Sequence, residues 1–154
     1  MGQVLDSTDR KILNQLLADA RQQNTQLAEA VGLSPPPCWK RVNRLEQAGI
    51  IRGYTAVLDM EKLGYPEIAL IDITLENHAH YPLEGVCEKL AALPEVLEVH
   101  ITTGDFDCFI KVAISDTGAL ERFLREKLYM IDGVRGTRTS LSLRRFKDVQ
   151  STLI

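Results

Sequence analysis

Asn43, Arg44 and Gln47 lie three, four and seven residues after Lys40, so a helix drawn through them carries two cations and two amides on one side. Groups of that kind grip phosphate oxygens and read base edges in the major groove of double-stranded DNA. Pro36 falls on the same side, Arg41 and Trp39 flank it, and packing against a neighbouring wing would cover Trp39. A second constellation stands in "TTGDFDCF". There Thr102 and Thr103 offer hydroxyls, Asp105 and Asp107 offer carboxylates, and Gly104 permits close backbone approach. An α-amino acid needs an acceptor for its ammonium group and donors for its carboxylate, and this turn holds both. A capped hairpin whose aspartates bond local N–H groups uses the same residues. The residues alone leave both readings open.

The elements that must position the first set are three helices. In "LDSTDRKILNQLLADAR", Asp6 is the expected N-cap, with Asp9 three residues on and Ile12, Leu13, Leu16, Leu17 and Ala20 along one face. In "NTQLAEAVG", Asn24 or Thr25 caps a short helix that turns Leu27, Ala28 and Val31 inward and stops at Gly32. Ser34 then caps the third helix. Pro35 sits at its first position, where no N–H is required, and Pro36 and Pro37 stiffen the same turn. Cys38, Val42 and Leu45 form its inward stripe. The caps Thr25 and Ser34 are expected to bring helix N-termini toward phosphates. "AGIIRGYTAVLD" offers two short strand-like runs around Gly53, as in a small wing, with Arg52 in reach of a neighbouring phosphate. The trihelical order, with small Ala28 and Gly32 at the tight turn, is that of a helix-turn-helix module.

The second half alternates differently. "PEIALIDITLE" (66–76) reads as a strand, "YPLEGVCEKLAAL" as a helix, and "EVLEVHITTG" and "DCFIKVAIS" as strands joined by the Gly104 turn. "TGALERFLREKLYMI" reads as a helix through Leu120, Phe123, Leu124, Leu128 and Ile131, closed by Gly133, and "GTRTSLSLRRFK" as a last strand. The order β-α-β-β-α-β is a split βαβ motif, which makes the chain α+β. Two helices cannot cover Ile68, Leu70, Leu97, Val99, Phe109 and Val112 together, so a bare sheet face should pair with a second copy of the chain. A two-fold homodimer would place two reading helices about 34 Å apart and so match a pseudo-palindromic operator.

Composition narrows the function classes. The 154 residues are 45% hydrophobic and 25% charged, as in ordinary globular domains. The net charge of −3 hides a division: seven basic residues stand against five acidic ones up to Thr55, and eleven against sixteen beyond it. Only the N-terminal part therefore suits a polyanion. The first residues lack the apolar core of a signal peptide, and no run approaches a membrane span, so a cytoplasmic protein with no membrane partner is expected. Cys38, Cys87 and Cys108 are odd in number and form no CxxC pair. His78, His80 and His100 lack a metal-ligand partner set, and no Gly-rich phosphate loop or Ser-His-Asp arrangement occurs, so neither metal nor catalysis is expected.

The segments "LDSTDRKIL", "NTQLAEAVGLS", "PCWKRVNRLEQAGIIRGYTAVLD" and "TTGDFDCFIKV", in this order and spacing, resemble the Lrp/AsnC family of bacterial and archaeal transcriptional regulators, also called feast/famine regulatory proteins. The resemblance covers essentially the whole chain. It implies a winged helix-turn-helix domain over 1–55, a linker over 56–65, and a ferredoxin-like ligand-sensing and oligomerisation domain over 66–154, with dimers joining into tetramers or octamers. It implies no cofactor. It also implies that Gly104, Asp105 and Asp107 line an effector pocket for a small molecule such as an amino acid, which Thr137, Thr139 and Ser140 would complete. Phe106 stands where the family usually has tyrosine, which removes a hydroxyl donor. Two alternatives share the plan: a siroheme-decarboxylase-like enzyme, and a DNA-organising protein without an effector.

Overall fold

Asp6 starts the first helix, α1 (Ser7–Ala18). Its Oδ1 accepts from the Asp9 N–H at 2.7 Å, and Asp9 Oδ2 accepts from the Asp6 N–H at 3.2 Å, a reciprocal capping box. In this computed structural model, which describes residues 5–76 and 80–147, α2 (Asn24–Val31) and α3 (Pro35–Gln47) follow. Gln23, rather than Asn24 or Thr25, is the N-cap of α2, and its N–H donates to Gln26 Oε1 at 3.1 Å. The Asn24 side chain donates instead to the Pro35 carbonyl at 2.8 Å and ties α2 to α3. Gly32 closes α2 in the left-handed region at φ 73°, where a side chain would be strained.

Ile12, Leu13, Leu27, Ala28, Val31, Cys38 and Leu45 are buried together between the three helices. Leu17 is exposed and Ala20 lies beyond the end of α1, so the inward stripe of this helix is shorter than expected. The strand-like runs around Gly53 form no ladder; after the turn that ends α3, residues 52–59 have no regular secondary structure. Two short runs without a third strand have little to stabilise them. Tyr54 from this segment donates its hydroxyl to Glu46 Oε1 at 2.8 Å, and burial followed by that carboxylate pushes the phenol pKa up to about 12.

Between Val57 and Leu58 the first compact unit gives way to a second. A hydrogen-bonded turn over 59–65 comes first, followed by β1 (Glu67–Leu75), α4 (Leu83–Ala91), β2 (Val96–Ile101), β3 (Cys108–Ile114), α5 (Thr117–Glu126) and β4 (Val134–Leu141). The sheet order is β2-β3-β1-β4 and every pairing is antiparallel, the ferredoxin-like arrangement. Ala69, Ile71, Ile73 and Leu75 alternate inward from β1 and meet Cys108, Ile110, Val112 and Ile114 of β3. Val86, Leu90, Leu120, Phe123 and Leu128 cover them from the helices. The last helix does not run through to Ile131. It stops at Glu126, Lys127 leaves helical geometry at φ −121°, and a 3-10 turn over Leu128–Met130 places Leu128 in the core while Tyr129 and Met130 face out.

The pleat divides the six residues named for the bare face. Val112 pairs with Ala69 on the helix side and is fully buried, and Val99 packs against the same core. Leu70 and Phe109 do point the other way, but there they lie among ion pairs: Arg138 with Asp72 at 2.8 Å and Lys111 with Glu98 at 2.8 Å. Leu97 is exposed at the β2 bulge. That face is thus more polar than its aliphatic residues suggest.

Candidate DNA-reading helix and effector turn

The tip of α3 is unusual in what it lacks. Ser34 has N-cap backbone geometry at φ −80° and ψ 155°, yet its hydroxyl makes no capping bond. The reason is chemical: a cap bonds the second or third helical N–H, and those positions are Pro36 and Pro37, which have none. The first N–H of the helix belongs to Cys38 and donates to the Ser34 carbonyl at 3.3 Å. The tip is therefore blunt and without backbone N–H donors at its three proline positions, and the exposed Ser34 hydroxyl is the polar group it presents. Thr25 is exposed in the first turn of α2.

The basic side of α3 divides in two. Arg44 Nη2 lies 2.6 Å from both carboxylate oxygens of Asp9, and Arg41 Nη1 lies 2.9 Å from Asp9 Oδ1 and 2.6 Å from Asp6 Oδ2. Asp9 is only 1% exposed, so these guanidiniums neutralise a carboxylate that would otherwise be buried unpaired. Hydrogen bonding from Arg41, then from the Asp9 backbone, lowers the Asp6 pKa to about 2, and the same carboxylates raise that of Arg41. Arg41 and Arg44 thus fasten α3 to the start of α1. Lys40 is the α3 cation without a carboxylate partner among the described residues, and it stands exposed with Pro36 and Gln47 beside half-buried Asn43. Arg52 is exposed in the segment beyond. Sequence reading saw Asp9 only as part of a cap; its spacing to α3 gives no sign of the ion cluster.

The Gly104 turn also divides. The Thr102 N–H donates to the Asp107 carbonyl at 3.1 Å and its hydroxyl to the Phe106 carbonyl at 2.9 Å. Asp107 is anchored to β1 from both ends: its N–H donates to the Ile73 carbonyl at 2.9 Å, and its Oδ2 accepts from the Leu75 N–H at 2.7 Å. Thr103, Gly104 and Asp105 remain exposed, and Gly104 holds φ 115°. Phe106 is half-buried beneath the Arg138 guanidinium, 4.5 Å from its ring centroid. Arg138, absent from the expected site, joins the turn to β4 because Asp72 on the intervening β1 holds it. Its place follows from the strand register, which the sequence does not display.

The β4 residues do not share one surface. Thr137 and Thr139 pair with Ile73 and Ile71 on the helix side, where the Thr137 hydroxyl meets that of Tyr129 at 2.9 Å. Ser140 pairs with Leu70 on the opposite side. One pocket inside a single chain cannot take all three.

Among the described residues no three His, Cys, Asp or Glu side chains cluster in a way that would hold a metal ion, and no helix is long and apolar enough to cross a membrane. His100 lies near Glu98 and the Phe109 ring, and His78 falls outside the described residues. Cys38 and Cys108 are buried and Cys87 half-buried, all three as free thiols. Burial raises the pKa of each, Cys108 to about 12, which makes them poor nucleophiles.

Known proteins share this arrangement. Residues 5–52 match the model of a winged helix-turn-helix DNA-binding domain, and residues 68–152 match that of the Lrp/AsnC ligand binding domain. The chain is 39% identical to the leucine-responsive regulatory protein of Escherichia coli K12 over 153 residues, 99% of this chain and 93% of that protein. A transcriptional regulator from Neisseria meningitidis, solved in complex with L-methionine, superposes with a TM-score of 0.89 at 33% identity, covering 97% of this chain and 96% of that one. The structure of AsnC from E. coli superposes with a TM-score of 0.88 at 34% identity, covering 97% and 99%. With both domain models matched in order and a relative aligned along nearly its whole length, the chain belongs to the Lrp/AsnC family of DNA-binding transcriptional regulators.

Proposed function

We propose that residues 1–55 set α3 in the major groove of an operator while residues 66–154 assemble the chain into homodimers and higher oligomers and sense an amino acid, with 56–65 joining the two. The observation that carries this reading is the division of α3: two arginines hold the helix in place from one side, and Lys40, Asn43, Gln47 and Pro36 are left for the groove. Ser34, Thr25 and Arg52 lie at the margins, where hydroxyl and guanidinium contacts to phosphate position the module. A two-fold dimer carries two such helices and reads a pseudo-palindrome.

The effector reading rests on the exposed Asp105, Gly104 and Thr103 and on the methionine complex of the Neisseria regulator. Because Thr137 and Thr139 face away from Ser140, a contact between chains is the arrangement in which β4 residues could join the turn. The chain acts in the cytoplasm by binding, with no catalytic step and no resident cofactor. One experiment tests the whole: the affinity of the full-length protein for a duplex selected from a random pool, measured with each of the twenty amino acids. One of them should change that affinity by about 5- to 150-fold, and Asp105→Ala should abolish the change. Duplex binding that no amino acid alters would favour a DNA organiser without an effector. Absence of duplex binding would overturn the regulator reading itself.

A further inference from the structure

Trp39 stands out of α3 at 56% exposure, with no wing ladder to cover it. An indole carries a large apolar area, and leaving it in water on a small helical unit forfeits the stabilisation that burial would bring. Its position limits what could cover it. On the helix it lies one turn after Pro36, one turn before Asn43 and next to Lys40, all on or beside the side left over from the Asp9 clamp. The carboxylate two turns on, Glu46, is engaged by the Tyr54 hydroxyl. The surface around the ring therefore joins an apolar patch of Pro36 and Trp39 to amides and an uncompensated cation.

That combination matches one feature of the major groove beyond hydrogen-bonding edges and phosphates: the C5-methyl group of thymine, the apolar mark that distinguishes this base there. We propose that Trp39 is a base-reading residue whose indole packs on thymine methyl groups while Lys40 meets the adjoining backbone. The inference rests on the DNA-binding reading above and adds a specificity to it: operators of this protein carry thymine where the ring lies. A protein partner for the same ring is the competing occupant, disfavoured by the cation and amides around it.

The test uses the chain's single tryptophan as its own probe. The full-length protein is titrated with a duplex it has itself selected from a random pool, and then with the same duplex carrying uracil for thymine. Trp39 emission should quench on binding, and each contacted methyl lost should weaken binding about fourfold, the factor for burying one methyl-sized group. In Trp39→Ala the uracil and thymine duplexes should bind alike. Unchanged emission on binding, or an equal uracil penalty in Trp39→Ala, would overturn the role of Trp39 while leaving the regulator reading intact. No binding to any selected duplex would overturn both.

Discussion

Helix α3 and the Gly104 turn are both rich in polar side chains, and they engage part of that set differently. On α3 the engaged groups are cationic, and their partners lie 32 to 35 residues earlier, at the start of α1. In the turn they are Thr102 and Asp107, bonded within the turn and to the neighbouring strand. The supporting cores differ as well. Among the described residues seven apolar side chains are buried between the three helices, against thirteen between the sheet and its helices. An ion cluster thus has more of the load to carry in the first unit, whereas Asp107 fastens a turn onto a sheet that packing already defines.

The sharpest way to break this contrast is Asp9→Ala. Removing the carboxylate takes away the partner of Arg44, leaves Arg41 with Asp6 alone and opens the capping box, so the loss of these charge-assisted bonds and of the cap should cost the first unit about 3 kcal/mol in denaturant unfolding followed at Trp39 emission. A loss below about 0.5 kcal/mol would show that the cluster is surface decoration. Asp107→Ala should do less. It leaves the N–H of Leu75, a residue buried to 3% exposure, without its acceptor, at a cost of about 2 kcal/mol that faster amide exchange at Leu75 would report. Unaltered exchange there would mean that the turn is held by its backbone bonds alone.

The smallest effect is set by pH. Asp6 is held down from its ordinary 3.8 to about 2 by Arg41 and by the Asp9 N–H. Since its pKa is lower in the folded than in the unfolded state, its contribution is present above about pH 4 and is lost as the pH falls through about 2. Asp6→Asn should therefore flatten the acid limb of the first unit's unfolding midpoint between those values. An unaltered limb would assign acid sensitivity to other carboxylates.

Much of this was legible in the chain itself, because the signals are local. Asp6 and the Pro35 start of α3 mark helix entries, Gly32 a helix exit, and the alternation of Ala69, Ile71 and Ile73 a half-buried strand. The misses have local and distant causes. The two short β-prone runs around Gly53 carry no strand, and the last helix breaks at Lys127 where Leu128 reaches the core. Arg44, Arg138 and Asp107 have partners far along the chain, and no periodicity reports those.

The amino-acid sequence by itself determined the order of elements, the division of charge at Thr55 and the residue types available at each site, because caps, turns and periodicity act within a few residues. Only the tertiary structure decided which of those residues remain free. Buried Asp9 engages Arg41 and Arg44 as ion-pair partners, and strand register decides that Thr137 faces the helices and Ser140 the other side. Both outcomes depend on groups brought together across more than thirty residues, where one step of register or one buried charge reverses what a side chain can do.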